Sequence, residues 1–342
     1  MKTVIYKISG TPEDKTAIDA AGKLLREGEL VAIPTETVYG LGASAFSDSA
    51  AEKIYAAKGR PSDNPLIVHV AEPEEAEAIA YTSPLYYKLA EKFMPGPLTI
   101  ILPKRDVIPD AVTGGLDTVA VRCPINETAR EIIRAAGVPV AAPSANRSGS
   151  PSPTTAAHVA SDMDGRIPLI IDGGECDIGV ESTVISIAKG ECVLLRPGAV
   201  TAEMLLEVCD SVRIDRAVIS PEEAGDHPES PGMKYKHYSP LANVVLVDAD
   251  DEGFVSFVGR EAGKRDGVFA SEADAGRFNC RVLLTGKVGS AAELNHRLYS
   301  LLREADELDL ETVYVRKPSV DGEYLAIFNR LIRAAAGRIV KA

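Results

Sequence analysis

The chain has 342 residues, 45% of them hydrophobic and 25% charged, with 50 acidic against 37 basic residues and a formal net charge of −13. That length suits two domains better than one. The composition is ordinary for a globular protein, and the acidic balance excludes a module that binds nucleic acid by bulk positive charge. Residues 1–242 hold 34 acids and 23 bases, net −11, and residues 243–342 hold 16 and 14, net −2. An anion site must therefore be a local concentration of cations within an acidic body.

In chain order, the Met1-Lys2 start leads into a short Val4-Ile5-Tyr6 strand and lacks the apolar core of a signal peptide. The first helix is signalled by Thr11 as cap, Pro12 in its first turn, Glu13 and Asp14 at the positive end of its dipole, and an apolar stripe of Ile18, Ala21, Leu24 and Leu25 that Gly28 can end. A buried strand over 30–33 stops at Pro34. Helices are expected over 48–57, 73–80, 84–93, 127–136, 155–161 and 201–209. Strands are expected over 66–70, 98–102, 119–122, 138–142, 169–171, 183–187, 193–195 and 212–214. The pattern predicts an N-terminal α/β domain, residues 1–215, built on a twisted mixed sheet.

Residues 216–242 change character. Ser220-Pro221, His227-Pro228, Ser230-Pro231-Gly232 and Ser239-Pro240 break regular structure. Within this stretch Ser-Pro-Gly-Met-Lys-Tyr-Lys-His-Tyr-Ser, residues 230–239, is more specific than a spacer needs, and long ordered loops are often lids. Residues 243–342 alternate cleanly: strands at 244–247, 268–270, 282–284, 312–315 and 338–340, with helices near 253–262, 291–302 and 324–335. That order predicts a smaller, doubly wound, Rossmann-like parallel α/β domain. It contains neither GxGxxG nor GxxxxGK[ST], so no nucleotide is assigned to it.

The cysteines, Cys123, Cys176, Cys192, Cys209 and Cys280, are widely and irregularly spaced, and the five histidines form no HExxH. Their spacing gives no zinc or iron–sulfur motif and fits a reducing cytoplasm, and no apolar run approaches the length of a membrane span.

Four segments carry the chemistry. They are Pro34-Thr35-Glu36-Thr37-Val38-Tyr39-Gly40-Leu41-Gly42; Lys58-Gly59-Arg60-Pro61 running on to Asn64-Pro65-Leu66 and His69; Pro143-Ser144-Ala145-Asn146; and Glu181-Ser182-Thr183-Val184. Each adjoins a buried strand and brings hydroxyls, amides or fixed cations. Lys58 and Arg60 are two residues apart, as are Ser144 and Asn146, and in an extended chain such pairs point to the same side. Lysine is a point charge for phosphate and arginine a rigid fork. Arg122 and Arg196 each end an apolar strand before a proline break, which is where open α/β sheets place ligands. Ser144 and Asn146 could bind phosphate or ribose oxygens, or serve local turns. Thr35, Thr37 and Ser182 could read a small polar substrate or cap loops. His69 fits a satisfied core residue as well as a ligand, and Glu36 and Glu181 are the acid/base candidates. There is no GxSxG elbow and no evident covalent nucleophile, which suits nucleotidyl or phosphoryl transfer, where positioning and charge stabilisation dominate.

Taken together, these motifs, with Leu195-Arg196-Pro197-Gly198, the Ser230–Tyr238 stretch and the trailing α/β domain, resemble the threonylcarbamoyl-AMP synthase family in its long, two-domain form, whose core is the YrdC-type domain. The resemblance implies that L-threonine, bicarbonate and ATP give threonylcarbamoyl-adenylate and pyrophosphate, and that a partner ligase then transfers the threonylcarbamoyl group to a tRNA adenosine. It implies that Lys58, Arg60, Ser144 and Asn146 form the catalytic tetrad. Thr35, His69, Arg122, Ala142 and Ser182 would surround threonine. Lys58, Arg60, Asn64, Thr118, Ser144, Ser152, Arg196 and His237 would hold ATP, with Mg²⁺ carried by the phosphates rather than by a protein motif and residues 216–242 closing over the nucleotide. Two alternatives stand beside this reading. One is an RNA-binding protein. The other is a carbamoyl-phosphate-dependent transferase of hydrogenase maturation, against which the missing CxxC pairs count.

Overall fold

The computed structural model describes residues 2–220 and 238–342. In the first part of the chain β1 (Val4–Lys7), β2 (Val31–Ile33), β3 (Gly40–Ser44), β4 (Ile67–His69), β5 (Leu98–Pro103), β6 (Thr118–Arg122), β7 (Val140–Ala141), β8 (Leu169–Asp172), β9 (Thr183–Ser186), β10 (Cys192–Arg196) and β11 (Val212–Ile214) form one sheet. Its order is β1-β8-β2-β3-β7-β4-β6-β5-β9-β10-β11. The sheet is mixed: β4 and β6 run parallel, as do β5 and β9, while β7 against β4, β5 against β6, and β9 against β10 are antiparallel. The helices are α1 (Asp14–Arg26), α2 (Asp48–Lys58), α3 (Pro84–Phe93), the short α4 (Asp110–Thr113), α5 (Glu127–Ala136), α6 (Ala156–Met163) and the short α7 (Ala202–Leu206).

Residues 243–342 form a second sheet from β12 (Asn243–Asp248), β13 (Asp266–Ala270), β14 (Arg281–Leu284), β15 (Thr312–Arg316) and β16 (Ile339–Lys341), with helices α8 (Asp251–Glu261), α9 (Ala291–Glu307) and α10 (Tyr324–Ala334). Its order is β14-β13-β15-β12-β16 and each of its pairings is parallel, the doubly wound arrangement read from the sequence. α8 packs on one face, where Phe254, Phe257 and Val258 meet Val245, Val247 and Val268. On the other face, α9 and α10 bury Leu298, Leu302, Ile327 and Leu331 with Val244, Leu246 and Val313. That second cluster also takes in Val38 and Val180 from the first sheet's loops. Among the described residues no helix is long and apolar enough to cross a membrane.

Local chemistry explains most boundaries. Ser47, Asn126 and Ser290 cap α2, α5 and α9 through their side-chain oxygens, and Gly59 and Gly137 end α2 and α5 in the left-handed region. Three expectations change. Thr11 does not cap α1: the Asp14 carboxylate, one residue inside the helix, accepts the N–H groups of Ser9, Gly10 and Thr11 and takes over that role. The helix expected over 73–80 is a 3₁₀ turn, Pro73–Ala78, set in an acidic stretch. β3 is an unanticipated strand, because Gly-Leu-Gly-Ala-Ser lacks β-branched residues. Its glycines serve close packing instead; a Cβ on Gly42 would lie 2.9 Å from Val140 Cγ1.

α1 and α5 touch even more closely. A Cβ on Gly22 would fall 2.6 Å from the Ala135 backbone. Gly22→Ala should therefore destabilise the protein by about 1–3 kcal/mol through overpacking, although alanine in a helix normally gains about 1 kcal/mol over glycine. Denaturant unfolding decides the sign; a stabilised variant would mean the two helices stand further apart.

Candidate active site

Strand ends and loops from across the first sheet converge on one pocket. Its lining includes Thr35, Lys58, Arg60, His69, Arg122, Ala142, Ser144, Asn146, Ser182 and Arg196. Of the residues singled out from the sequence, these ten come together. Asn64 and Ser152 are buried just outside that lining, at 1% and 0% exposure. Asn64 supplies a backbone carbonyl to Arg60, and Ser152 donates to Glu181, which does line the pocket. Thr118 opens β6, whose far end delivers Arg122, and it is not brought into the lining. His237 and the rest of 221–237 lie outside the described residues, as does most of the proposed lid. Tyr238, a described residue within the same stretch, is buried and lines the pocket.

Lys58 and Arg60 do share the pocket, but not as alternate residues of a strand. Lys58 is the last residue of α2, and Gly59 at φ 64° turns the chain out of the helix so that Arg60 follows on the same side. Lys58 Nζ is 2.5 Å from the Ser144 carbonyl, 2.6 Å from that of Asn146 and 3.3 Å from Asn146 Oδ1. Ser144 Oγ donates to the same Oδ1 at 2.5 Å. The Asn146 amide in turn donates to the carbonyls of Arg147 and Ser150, which fixes which way it faces. Lys58, Ser144 and Asn146 therefore form one rigid unit.

Arg60 donates to the carbonyls of Asn64 and Pro65 and keeps a buried Nε without a partner. Arg196, at the end of β10, donates to the Ser182 carbonyl at 3.1 Å and to Ser182 Oγ at 3.2 Å, and that hydroxyl lies 2.7 Å from Thr99 Oγ1. No carboxylate of the described residues lies within ion-pair distance of Lys58, Arg60 or Arg196. Burial pushes Lys58 well below its usual value, with Arg60 adding to the effect. Burial also lowers Arg60 to about 10 and lowers Arg196. The pocket wall thus holds three cations, Lys58 and Arg196 buried and Arg60 half-buried, solvated mainly by neutral oxygens, a costly arrangement unless an anion supplies the missing charge.

Arg122 differs. Its Nη2 is 2.8 Å from Glu36 Oε1, both side chains are at most 5% exposed, and its Nε has no hydrogen-bond partner. Glu36, one of the two acid/base candidates, is therefore the counter-ion of a pocket arginine. The other candidate, Glu181, accepts from Tyr299 and from Arg330, both carried by the second sheet's helices. Its burial disfavours charge, yet Arg330, Arg196, Ser152 and Tyr299 together hold it below the usual carboxylate range. Arg330 and Tyr299 were missed in the sequence. The signal for Arg330 was a set of polar residues, Asn329, Arg330 and Arg333, inside an otherwise apolar helix, and that pattern does not name a partner.

A family model described as "Telomere recombination", covering the Sua5, YciO and YrdC domain, matches residues 23–198. A second, described as "Threonylcarbamoyl-AMP synthase, C-terminal domain", matches residues 200–336. The threonylcarbamoyl-AMP synthase of Bacillus subtilis is 44% identical across 100% of both chains, and that of Pyrococcus abyssi is 44% identical across 99% of both. The chain belongs to the threonylcarbamoyl-AMP synthase family. A crystal structure of P. abyssi Sua5 complexed with L-threonine superposes with a TM-score of 0.91 at 43% identity, covering 99% of this chain and 100% of that one. The match over 200–336 separates a threonylcarbamoyl-AMP synthase from the carbamoyl-phosphate alternative, because it identifies the second unit as this family's own.

His69 gives a pH test. Its ring is 3% exposed and Nδ1 lies 3.2 Å from the Ile67 carbonyl; burial, with Arg122 nearby, lowers its pKa from 6.5 to about 3. Below pH 6.5 the unfolded chain binds a proton that the folded chain refuses. Stability linked to this residue should therefore fall as pH drops from about 6.5 toward 3, by up to ~1.4 kcal/mol per unit. The His69 ring resonances should not titrate between pH 7.5 and 5, and His69→Gln should flatten the acid limb of the stability curve. Protonation near pH 6.5 would refute the neutral assignment.

Proposed function

We propose that the chain forms threonylcarbamoyl-adenylate and pyrophosphate from L-threonine, bicarbonate and ATP at this pocket. The observation that carries this reading is the set of three pocket cations, Lys58, Arg60 and Arg196, without a carboxylate of the described residues at ion-pair distance, beside an arginine, Arg122, that holds one. The first three suit a triphosphate. The guanidinium of Arg122 has five donors and one acidic partner, so it can take the threonine carboxylate alongside Glu36 or in exchange for it.

In this reading the threonine amine takes up CO₂ to give a carbamate, and a carbamate oxygen attacks the α-phosphorus while pyrophosphate leaves. Thr35, His69, Ala142 and Ser182 shape the amino-acid end. The neutral His69 ring can hydrogen-bond there without adding charge. Lys58 and Arg60 stabilise charge on the transferring and departing groups. The rigid Lys58–Ser144–Asn146 unit keeps those donors where charge develops, which is where preorganisation contributes most. Asn64, Ser152 and Thr118 complete the nucleotide contacts, with Asn64 and Ser152 acting next to Arg60 and Glu181. The carboxylates at the pocket are already engaged, Glu36 by Arg122 and Glu181 by Arg330 and Tyr299. Mg²⁺ is therefore expected to arrive on the ATP phosphates, where it would neutralise phosphate charge. The product is a labile mixed anhydride, to be consumed by a ligase that modifies a tRNA adenosine in the cytoplasm.

Pyrophosphate release from ATP should require both threonine and bicarbonate, each omitted in turn. Lys58→Ala or Arg60→Ala should lower kcat by about 10²-fold or more with unchanged circular dichroism, and Arg122→Ala should mainly raise the KM for threonine. Release without threonine, or full turnover in the Lys58 and Arg60 variants, would overturn the assignment.

A further inference from the structure

Arg330 and Tyr299 belong to the C-terminal unit, yet both are 0% exposed and bonded to groups of the N-terminal one. Arg330 Nε lies 2.9 Å from Glu181 Oε2, its Nη1 lies 2.8 Å from the Pro197 carbonyl, and its Nη2 lies 3.4 Å from the Glu181 carbonyl. Tyr299 donates to the Glu181 carboxylate, at 2.7 Å from Oε2 and 3.0 Å from Oε1, and Ser152 donates to Oε1. Glu181 is the residue before Ser182, which leads into β9, and Pro197 is the residue after Arg196, which ends β10. β9 and β10 are antiparallel neighbours with an irregular register between Leu194 and Arg196. One guanidinium therefore grips the two strand ends at the point where each delivers a pocket side chain.

We propose that Arg330 and Tyr299 are positioning residues of the active site: from the C-terminal unit they fix Glu181 and the Pro197 carbonyl, and so set where Ser182 and Arg196 stand. This rests on the function proposed above and deepens it. Every oxygen of the Glu181 carboxylate is occupied by donors, so Glu181 transmits position and does not serve as acid, base or metal ligand. An arginine in an apolar helix is also expensive; packing Leu or Met in its place is often neutral or stabilising elsewhere. Geometry at the strand ends is what the charge supplies that an apolar side chain would not. Tyr238 belongs to the same cluster. Its ring lies 5.5 Å from that of Tyr299 and 5.6 Å from the Arg330 guanidinium, and it lines the pocket, so a residue of the stretch linking the two units rests on the same pair.

The test uses the full chain with three substitutions. Arg330→Lys keeps the charge but cannot reach Glu181 and Pro197 together. Tyr299→Phe keeps the ring and removes one donor. Ser300→Ala, the next residue on α9, removes only a 3.2 Å contact with Thr154 and serves as the interface control. For each, ATP affinity is measured by calorimetry and kcat and KM by pyrophosphate release, with melting temperature alongside. Arg330→Lys should lower kcat/KM for ATP at least 10-fold and weaken ATP binding. Tyr299→Phe should do the same to a smaller degree, about 3-fold to 10-fold, and Ser300→Ala should match the wild type. A purely structural role would lower the melting temperature and the active fraction while leaving the KM and affinity of the folded molecules unchanged; that result overturns the proposal. If Arg330→Lys does not fold, Tyr299→Phe decides alone. A wild-type chain that binds ATP but releases no pyrophosphate would sink the functional reading, and the calorimetric comparison would still decide this one.

Discussion

The constraint on which the structure turns is positive charge held in a buried pocket without equal negative charge. Lys58, Arg60 and Arg196 are oriented by carbonyls and hydroxyls, partners that fix direction without neutralising. Desolvation works against each of them, and the fold must hold them regardless. It does so by placing them at backbone breaks: a left-handed glycine after α2, and the end of β10 before Pro197. The pocket sits where several strands end, so the cost of ordering these cations is carried by a sheet whose core is already packed around β4, β5 and β6. An anionic substrate then meets donors that need no reorganisation.

The acids of the pocket show the converse logic. Glu36 and Glu181 are both buried, and each is spent on an arginine. Had either been free, it would have partly cancelled the positive charge of the pocket. Arg122 is the one pocket cation compensated by a carboxylate at ion-pair distance among the described residues, which makes it the site best suited to exchange one carboxylate for another. The division into an end whose cations are uncompensated and an end whose arginine is compensated follows from these pairings.

Much of this was legible in the sequence because strand ends announce themselves. The apolar runs at 98–102, 119–122 and 193–195 fixed β5, β6 and β10, and the Arg-Pro and Arg-Cys-Pro breaks after two of them fixed where their arginines would stand. Lys58 and Arg60 converge without the strand alternation that their spacing suggests: a helix end and a left-handed glycine bring them to the same side. β3 was illegible because Gly40 and Gly42 serve close packing of neighbours, and periodicity cannot register a side chain that is absent. Thr118 was named only through the resemblance: it opens the strand that Arg122 ends, and the strand pattern alone gives it no role at the pocket.

What no local pattern contained was the contribution of the second unit. Arg330 in α10 reads in sequence as a polar interruption of an apolar helix, with nothing nearby to neutralise it. Its counter-ion lies 149 residues earlier in the chain, so only the docking of the two units reveals why a buried arginine is tolerated there. Burial opposes its charge, and Glu181 with the neighbouring tyrosines more than restores it. The same pair that makes the interface electrostatically whole also fixes the backbone beside Ser182 and Arg196. Stability of the interface and geometry of the pocket are therefore not separable at this point. A chain that kept the first sheet intact but docked the second unit differently would keep its cations and lose their alignment.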